Sequence, residues 1–404
     1  MTAAEGQHPA WWDAYSNQPY KLPASGRPRA GTGNGREHAA VAATVLAMLP
    51  AFLWQFVRLR PAAQRPLPAD FIGLSISPDA RYDSAVQDMV QELGAKRLLL
   101  RVPTWDRDRF DVYRALVDSY PSHDFLINVL QSRESVQHPE RWRRDLTAIF
   151  DLFGDRAEYF QIGNAINRSK WGCANSGEYL RLLEIAEEVR GAAPGVRLVG
   201  SSVIDFEPLV TLRTLRNRRR YNLDVVSALL YVNRRGSPWG RQFGVFNLYT
   251  KLRVLYALVL LGSRNARRLW ITEFNWPLLN TRPYTPNSGH PRSTVDEPTQ
   301  ARYLRQYYQI VYQTGWVERV YWWQLINPGY GLVDHRGGTL RRHPPISPCR
   351  SCCAMARPWR RRRSDPEDAR PGQPPGPGFN RSFPLRPVCP AAADRRRGVR
   401  RCHC

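Results

Sequence analysis

From Asp70 onward, short apolar runs alternate with amphipathic stretches, and the alternation recurs along the chain. FIGLSIS at 71–77 precedes DSAVQDMVQELGAK, and RLLLRVP at 97–103 precedes DRFDVYRALVDSYP. DFLINVL at 124–130, AEYFQIGN at 157–164 and VRLVGSSV at 196–203 are each followed by residues at helical spacing. So are LDVVSALLYVN at 223–233 and RLWITEF at 268–274, and VERVYWWQLIN at 317–327 closes the series. Near-continuous apolar runs of this length read as strands covered on both faces, and the stretches between them read as helices. Eight strands with seven intervening helices predict an α/β fold, a (β/α)8 TIM barrel over residues 68–340. The eighth strand has no helix after it in the present reading. The apolar stretch near 245–262 contains Lys251 and Arg253, so it is expected to pack on the barrel.

The pattern breaks down at both ends. Residues 1–38 are polar and rich in Gly and Pro, the composition of a disordered segment. Ala39 to Val57 then runs without a charge, about the length that crosses a bilayer. Pro50 interrupts it, and an amphipathic or buried helix fits the same run. Arginines flank it on both sides, so the charge rule for orientation does not decide between membrane-tethered and cytoplasmic placements. Membrane association through 39–57 is one expectation carried forward.

Residues 341–404 differ from everything before them. They hold 16 Arg, no Lys, 12 of the 33 Pro and 6 of the 7 Cys, with no helical or strand period. A GC-rich gene read out of frame yields such text. One synonymous coding of HPPISPCRSCCAMA (343–356), read from its third base, gives PAYLALPQLLRHG, an amphipathic helix where the eighth is wanted. A change of reading frame near Arg342 is therefore the expectation, with the last helix disrupted and the tail disordered; resequencing across that codon tests it. The six cysteines then carry little meaning, and their spacing offers no paired set of zinc ligands. No metal and no cofactor is called for.

Composition changes the picture in one respect. The formal net charge is +24, which invites a nucleic-acid partner. Half of that excess lies in the tail, and no nucleic-acid motif accompanies it, so no such partner is expected. Nothing in the sequence fixes the oligomeric state.

In such a barrel the chemistry sits at the C-terminal ends of the strands. The second strand ends with Arg101, the fourth with Gly163-Asn164-Ala165, and the sixth with Tyr231 and Asn233. The seventh ends in WITEFNWP, with Glu273 and Trp276, and the eighth carries Trp322 and Trp323. A carboxylate leaving a buried strand needs partners. Arg101 and Tyr231 come from strand ends able to supply them, since Arg favours the charged form and a phenol donates a hydrogen bond. A structural ion pair and a nucleophile aimed at an anomeric carbon both fit that placement.

Together, the eightfold pattern, Arg101, Asn164, Tyr231, Glu273 in TEFNW and Trp322/Trp323 resemble the TIM-barrel clan of retaining glycoside hydrolases, the cellulase and β-xylosidase-like enzymes. The resemblance covers roughly residues 68–334. It implies an oligo- or polysaccharide as partner, Glu273 as nucleophile held by Arg101 and Tyr231, and a strand-eight Trp as the floor of a sugar subsite. The clan places its general acid/base Glu directly after the strand-four Asn, and here that slot holds Ala165. Two readings follow: a hydrolase whose acid comes from Asp205, Glu207 or Glu134, or a carbohydrate-binding barrel that has lost turnover. Asn167, Arg168, Lys170 and Trp171, just beyond Ala165, are expected to contact a sugar or an anionic glycan. The turn-rich segment 277–297, with His290, is expected to form a rim or lid.

Overall fold

The structure is a computed structural model that describes residues 8–22, 34–61, 70–78, 81–285 and 293–343. The expectations for the tail beyond His343 and for His290 lie outside the described residues.

In chain order, β1 (Trp12–Asp13) and β2 (Gln18–Pro19) pair as an antiparallel hairpin, and α1 (Asn34–Arg58) follows. The barrel then opens with β3 (Ile72–Ile76), α2 (Asp83–Leu93), β4 (Arg97–Pro103) and α3 (Phe110–Asp118). It continues with β5 (Asp124–Leu130), α4 (Arg133–Gln137), α5 (Pro139–Phe153), β6 (Tyr159–Ile162) and α6 (Ser176–Arg190). β7 (Arg197–Ile204), α7 (Pro208–Leu215), β8 (Val225–Leu229), α8 (Leu248–Gly262), β9 (Leu269–Ile271), α9 (Glu297–Thr314) and β10 (Arg319–Trp322) complete it. Strands β3 to β10 close into one parallel barrel, with β10 pairing to both β9 and β3. The predicted fold class is the observed one. After β10 come β11 (Val333–Asp334) and β12 (Arg341–Arg342), an antiparallel pair, and no α-helix follows among the described residues.

Local chemistry explains several boundaries. Asn175 caps α6 by accepting from the Glu178 amide at 3.1 Å, and Asp296 caps α9 by accepting from the Thr299 amide at 2.9 Å. Gly94 ends α2 at φ +60°, where a side chain would be strained.

The pleat divides the strand side chains into two cores. Leu98, Leu100, Ile127, Val129 and Phe160 point outward and are covered by the helices. Leu99, Leu126, Val199, Val225, Trp270 and Tyr321 fill the barrel interior. Gly73 is small for a reason: a Cβ there would lie 2.3 Å from the Tyr321 ring, so a large interior side chain sits over the smallest residue.

Two terminal expectations are modified. Residues 8–22, read from composition as part of a disordered segment, form the β1–β2 hairpin. Composition averages over the segment and hides Trp12, which is buried by Trp105 at 5.1 Å and Trp171 at 5.8 Å between ring centroids. The apolar run 39–57 is the helix α1, long and apolar enough by length and composition to cross a membrane. Val45, Met48, Phe52 and Phe56 pack on the barrel core, while Leu46, Leu49, Leu53 and Trp54 are exposed. Arg253 of α8 donates to the Val57 carbonyl at 3.0 Å, and the Trp316 indole donates to that of Arg60 at 3.2 Å.

Candidate active site at the barrel mouth

Three strand ends converge on one carboxylate. Arg101 projects from β4, Tyr231 lies two residues beyond β8, and Glu273 lies two residues beyond β9. Arg101 Nη2 donates to Glu273 Oε2, and the Tyr231 hydroxyl donates to Oε1, so both carboxylate oxygens are engaged. All three side chains are buried. Burial pushes the Tyr231 phenol well above its usual pKa, and the neighbouring Glu273 charge adds to the rise, so Tyr231 stays a donor. Burial pulls the Arg101 guanidinium below the usual arginine value, and the Glu273 charge opposes that pull.

These groups face a cavity of about 830 Å³. Trp323 forms part of its wall, with the Arg101 guanidinium carbon 3.3 Å from the ring centroid. Trp322 does not line it. Successive strand residues point to opposite faces, and Trp322 packs outward against Phe274 at 5.1 Å and Trp276 at 6.2 Å. Trp276 is likewise buried behind the barrel wall, its indole donating to the Gly236 carbonyl at 3.0 Å. Of the three tryptophans expected after the last two strands, one reaches the mouth.

The loop after β6 also sorts into different roles. Asn164 is pinned through its backbone, which donates to Gln131 Oε1 at 2.9 Å and accepts from Gln131 Nε2 at 2.9 Å. Its Oδ1 accepts from Asn128 at 3.1 Å, while its buried Nδ2 has no partner among the described residues. Ala165 has φ +45° and is fully buried, outside the cavity lining. Asn167 clips the end of β7, accepting from the Ile204 amide at 2.9 Å and donating to its carbonyl at 3.0 Å. It holds two loops together and does not line the cavity.

Arg168 bridges Asp205 at 2.7 Å and Glu207 at 2.5 Å, so the three side chains satisfy one another at the cavity edge. Lys170 donates to Gln18 Oε1 at 2.6 Å and to the Pro19 carbonyl at 3.2 Å, and burial lowers its pKa to about 8. Trp171 is buried and lines the cavity behind Arg101. Glu134 pairs with Arg141 on the exposed side of α4 and does not line the cavity.

Several contributors were not singled out from the sequence. The hairpin lies across the mouth: Asn17 accepts through its carbonyl from Arg101 at 3.1 Å, and Ser16 through its carbonyl from the Tyr330 hydroxyl at 2.9 Å. The Trp11-Trp12 pair, in otherwise polar text, was the available signal. Arg235 stacks its guanidinium 3.0 Å from the Tyr231 ring centroid and donates to Asn275 Oδ1 at 3.1 Å. Lys251, on α8, is buried at the cavity floor, donates to the Tyr231 carbonyl at 3.2 Å, and has its pKa lowered by burial to about 8.

No protein-family model matches the chain, and no curated protein sequence matches it. Solved structures do. A family 39 glycoside hydrolase from Bacteroides cellulosilyticus WH2 superposes with a TM-score of 0.53 at 14% identity, over 71% of this chain and 63% of that one. The chain thus spans less than two thirds of that enzyme's length. A β-glucosidase from Thermotoga maritima, solved with deoxynojirimycin, gives 0.51 at 10% identity over 73% and 98%. Virulence factor SghA from Agrobacterium tumefaciens gives 0.50 at 12% identity over 72% and 98%. At these identities the likeness is one of fold: this chain has the barrel architecture of those proteins, the family 39 glycoside hydrolase and the β-glucosidase among them.

Proposed function

We propose that the chain binds a glycan in the mouth of its barrel and that Glu273 acts as a nucleophile toward the anomeric carbon. The observation that carries this reading is the engagement of both Glu273 oxygens by Arg101 and Tyr231 inside a cavity walled by Trp323. An oriented carboxylate beside an aromatic face is the equipment for displacement at a sugar ring, whose apolar CH face stacks on indole. One Glu273 oxygen bonds to the anomeric carbon as the bond to the leaving oxygen breaks, giving a glycosyl ester that water then hydrolyses. Asn164 is buried outside the cavity lining, so its unpaired Nδ2, at a cost of about 1–3 kcal/mol, is not counted among the sugar contacts.

The proton for the leaving group is the weak point. Ala165 supplies none, Tyr231 is committed to Glu273, and Arg168 occupies both Asp205 and Glu207. Lacking a general acid costs roughly 10²–10⁴-fold in rate. The favoured substrates are therefore glycosides whose leaving group departs unprotonated. The same arrangement supports a second reading, a carbohydrate-binding barrel without turnover.

The two readings separate on aryl glycosides with good leaving groups, assayed with and without azide. Turnover that yields glycosyl azide, and that Glu273→Gln abolishes, is expected of the nucleophile. Glycan binding with no turnover in either condition supports the binding barrel, and absence of any sugar affinity removes both. Membrane association through 39–57 belongs to this reading too. The exposed Leu46/Leu49/Leu53/Trp54 face of α1 is expected to sediment the protein with lipid vesicles, and Leu49→Glu with Leu53→Glu to leave it in the supernatant; equal sedimentation of the two proteins would discount the helix.

A further inference from the structure

We infer that the mouth is built for an acidic glycan, one whose sugars carry carboxylate or sulfate groups; this rests on the glycan-binding reading above and names its substrate class. Glu273, Asp205 and Glu207 are the carboxylates of the cavity lining, and each is matched: Glu273 by Arg101, the other two by Arg168. Lys21, Lys170, Arg234, Arg235 and Lys251 line the same space in addition. Of these, Lys170, Arg235 and Lys251 bond to neutral oxygens, namely the Gln18 amide and Pro19 carbonyl, Asn275, and the Tyr231 carbonyl. The lining therefore carries more cations than carboxylates, and Lys170, Arg235 and Lys251 make their hydrogen bonds to neutral oxygens, although Asp13 and Glu273 near Lys170 and Asp205 near Lys251 favour the charged lysines.

Burying cations is costly, and burial pushes both lysines down to a pKa of about 8 against the opposing pull of nearby carboxylates. A neutral polysaccharide offers these groups only hydroxyls. Anionic oxygens on a sugar would complete them with charge-assisted bonds, and a concave low-dielectric wall focuses the field that draws such a ligand in. The cations also come from separate places: the N-terminal segment, the loop after β6, the loop after β8, and α8. That distribution suits several charges along an oligosaccharide better than one small anion. Arg168, the cation that stands out in the sequence, is not part of the surplus, because its two carboxylates already hold it.

The test is a binding titration of the full chain against uronic-acid and sulfated oligosaccharides, neutral oligosaccharides on matched backbones, and sodium sulfate. At low ionic strength an acidic oligosaccharide is expected to bind at least tenfold tighter than its neutral counterpart, with the preference shrinking toward unity in high salt. Lys170→Gln with Lys251→Met is expected to abolish the preference while neutral binding remains. Arg234→Gln, at an exposed residue of the lining, is expected to reduce the preference at an unchanged melting temperature, so the result does not hang on whether the buried lysine variant folds. Equal affinity for acidic and neutral sugars, or a preference that survives all three substitutions, would overturn the inference and leave glycan binding standing. Sulfate binding as tightly as the acidic sugars would overturn it in favour of a simple anion site. Failure of every oligosaccharide to bind would remove the glycan reading itself.

Discussion

Glu273 shows how one residue's role is set by its partners. A carboxylate at a buried strand end would be costly alone, and here Arg101 and Tyr231 each take one oxygen. Lys170 and Lys251 show the reverse, cations kept among neutral oxygens. Lys170 is faced by Asp13, Glu273 and Arg168, and Lys251 by Asp205, yet burial dominates for both and holds them near 8, below the ordinary lysine value of 10.5. For a base whose folded pKa is lowered, charge disappears as pH rises through the folded value. Affinity for an acidic oligosaccharide is therefore expected to hold at pH 7 and fall severalfold by pH 9, with the ligand's own charge unchanged; a flat profile across that window would exclude the two lysines as its partners. Stability moves the other way. The native state sheds these protons before the unfolded chain does, so the burial penalty is relieved between about pH 8 and 10.5.

At the scale of elements, the hairpin β1–β2 is the piece whose place matters most for the site. It is too short to be stable alone. It is held by contacts to the barrel mouth: Trp12 in its aromatic cluster, Asn17 under Arg101, Ser16 under Tyr330 and Gln18 over Lys170. Trp12→Ala removes the largest of them, at a cost of about 3–5 kcal/mol if the hairpin stays docked. The expected outcome is release of the hairpin instead. Protease would then cut within residues 8–22 while the barrel core resists, and affinity for glycan would drop at least tenfold. Protection of that segment in the variant, with affinity retained, would show that the docking rests on the hydrogen bonds alone. The pleat of β10 works at the same scale. It sends Trp322 into the helical layer and Trp323 into the mouth, so two adjacent tryptophans do unrelated jobs.

For the molecule as a whole, formal charge is a poor guide until it is placed. The sequence carries +24, half of it in the tail, and that number alone suggests nucleic acid. Within the barrel the informative quantity is the small surplus left in one cavity after each carboxylate has found an arginine. Helix α1 carries a similar lesson. Its composition fits a membrane span, and in the fold one face packs against α7 and α8 while the other remains exposed.

Period and position made the barrel legible from the sequence. Continuous apolar strands alternating with amphipathic helices have few packings, and the closed parallel barrel is the one that matches eight units. The same rule located the strand ends, and with them Arg101, Tyr231 and Glu273, because the chemistry of a barrel is confined to one rim. Three things needed the tertiary structure. The face of a side chain at a strand end depends on where the strand stops, which parted Trp323 from Trp322 and Trp276. The partner of an ion depends on distance across the mouth, which committed Arg168 to Asp205 and Glu207 and left Lys170 and Lys251 bonded to neutral oxygens. And a polar N-terminal segment has no period to announce its place. The hairpin is ordered by the aromatic and hydrogen-bonding surface it meets, and that surface exists only once the barrel has closed.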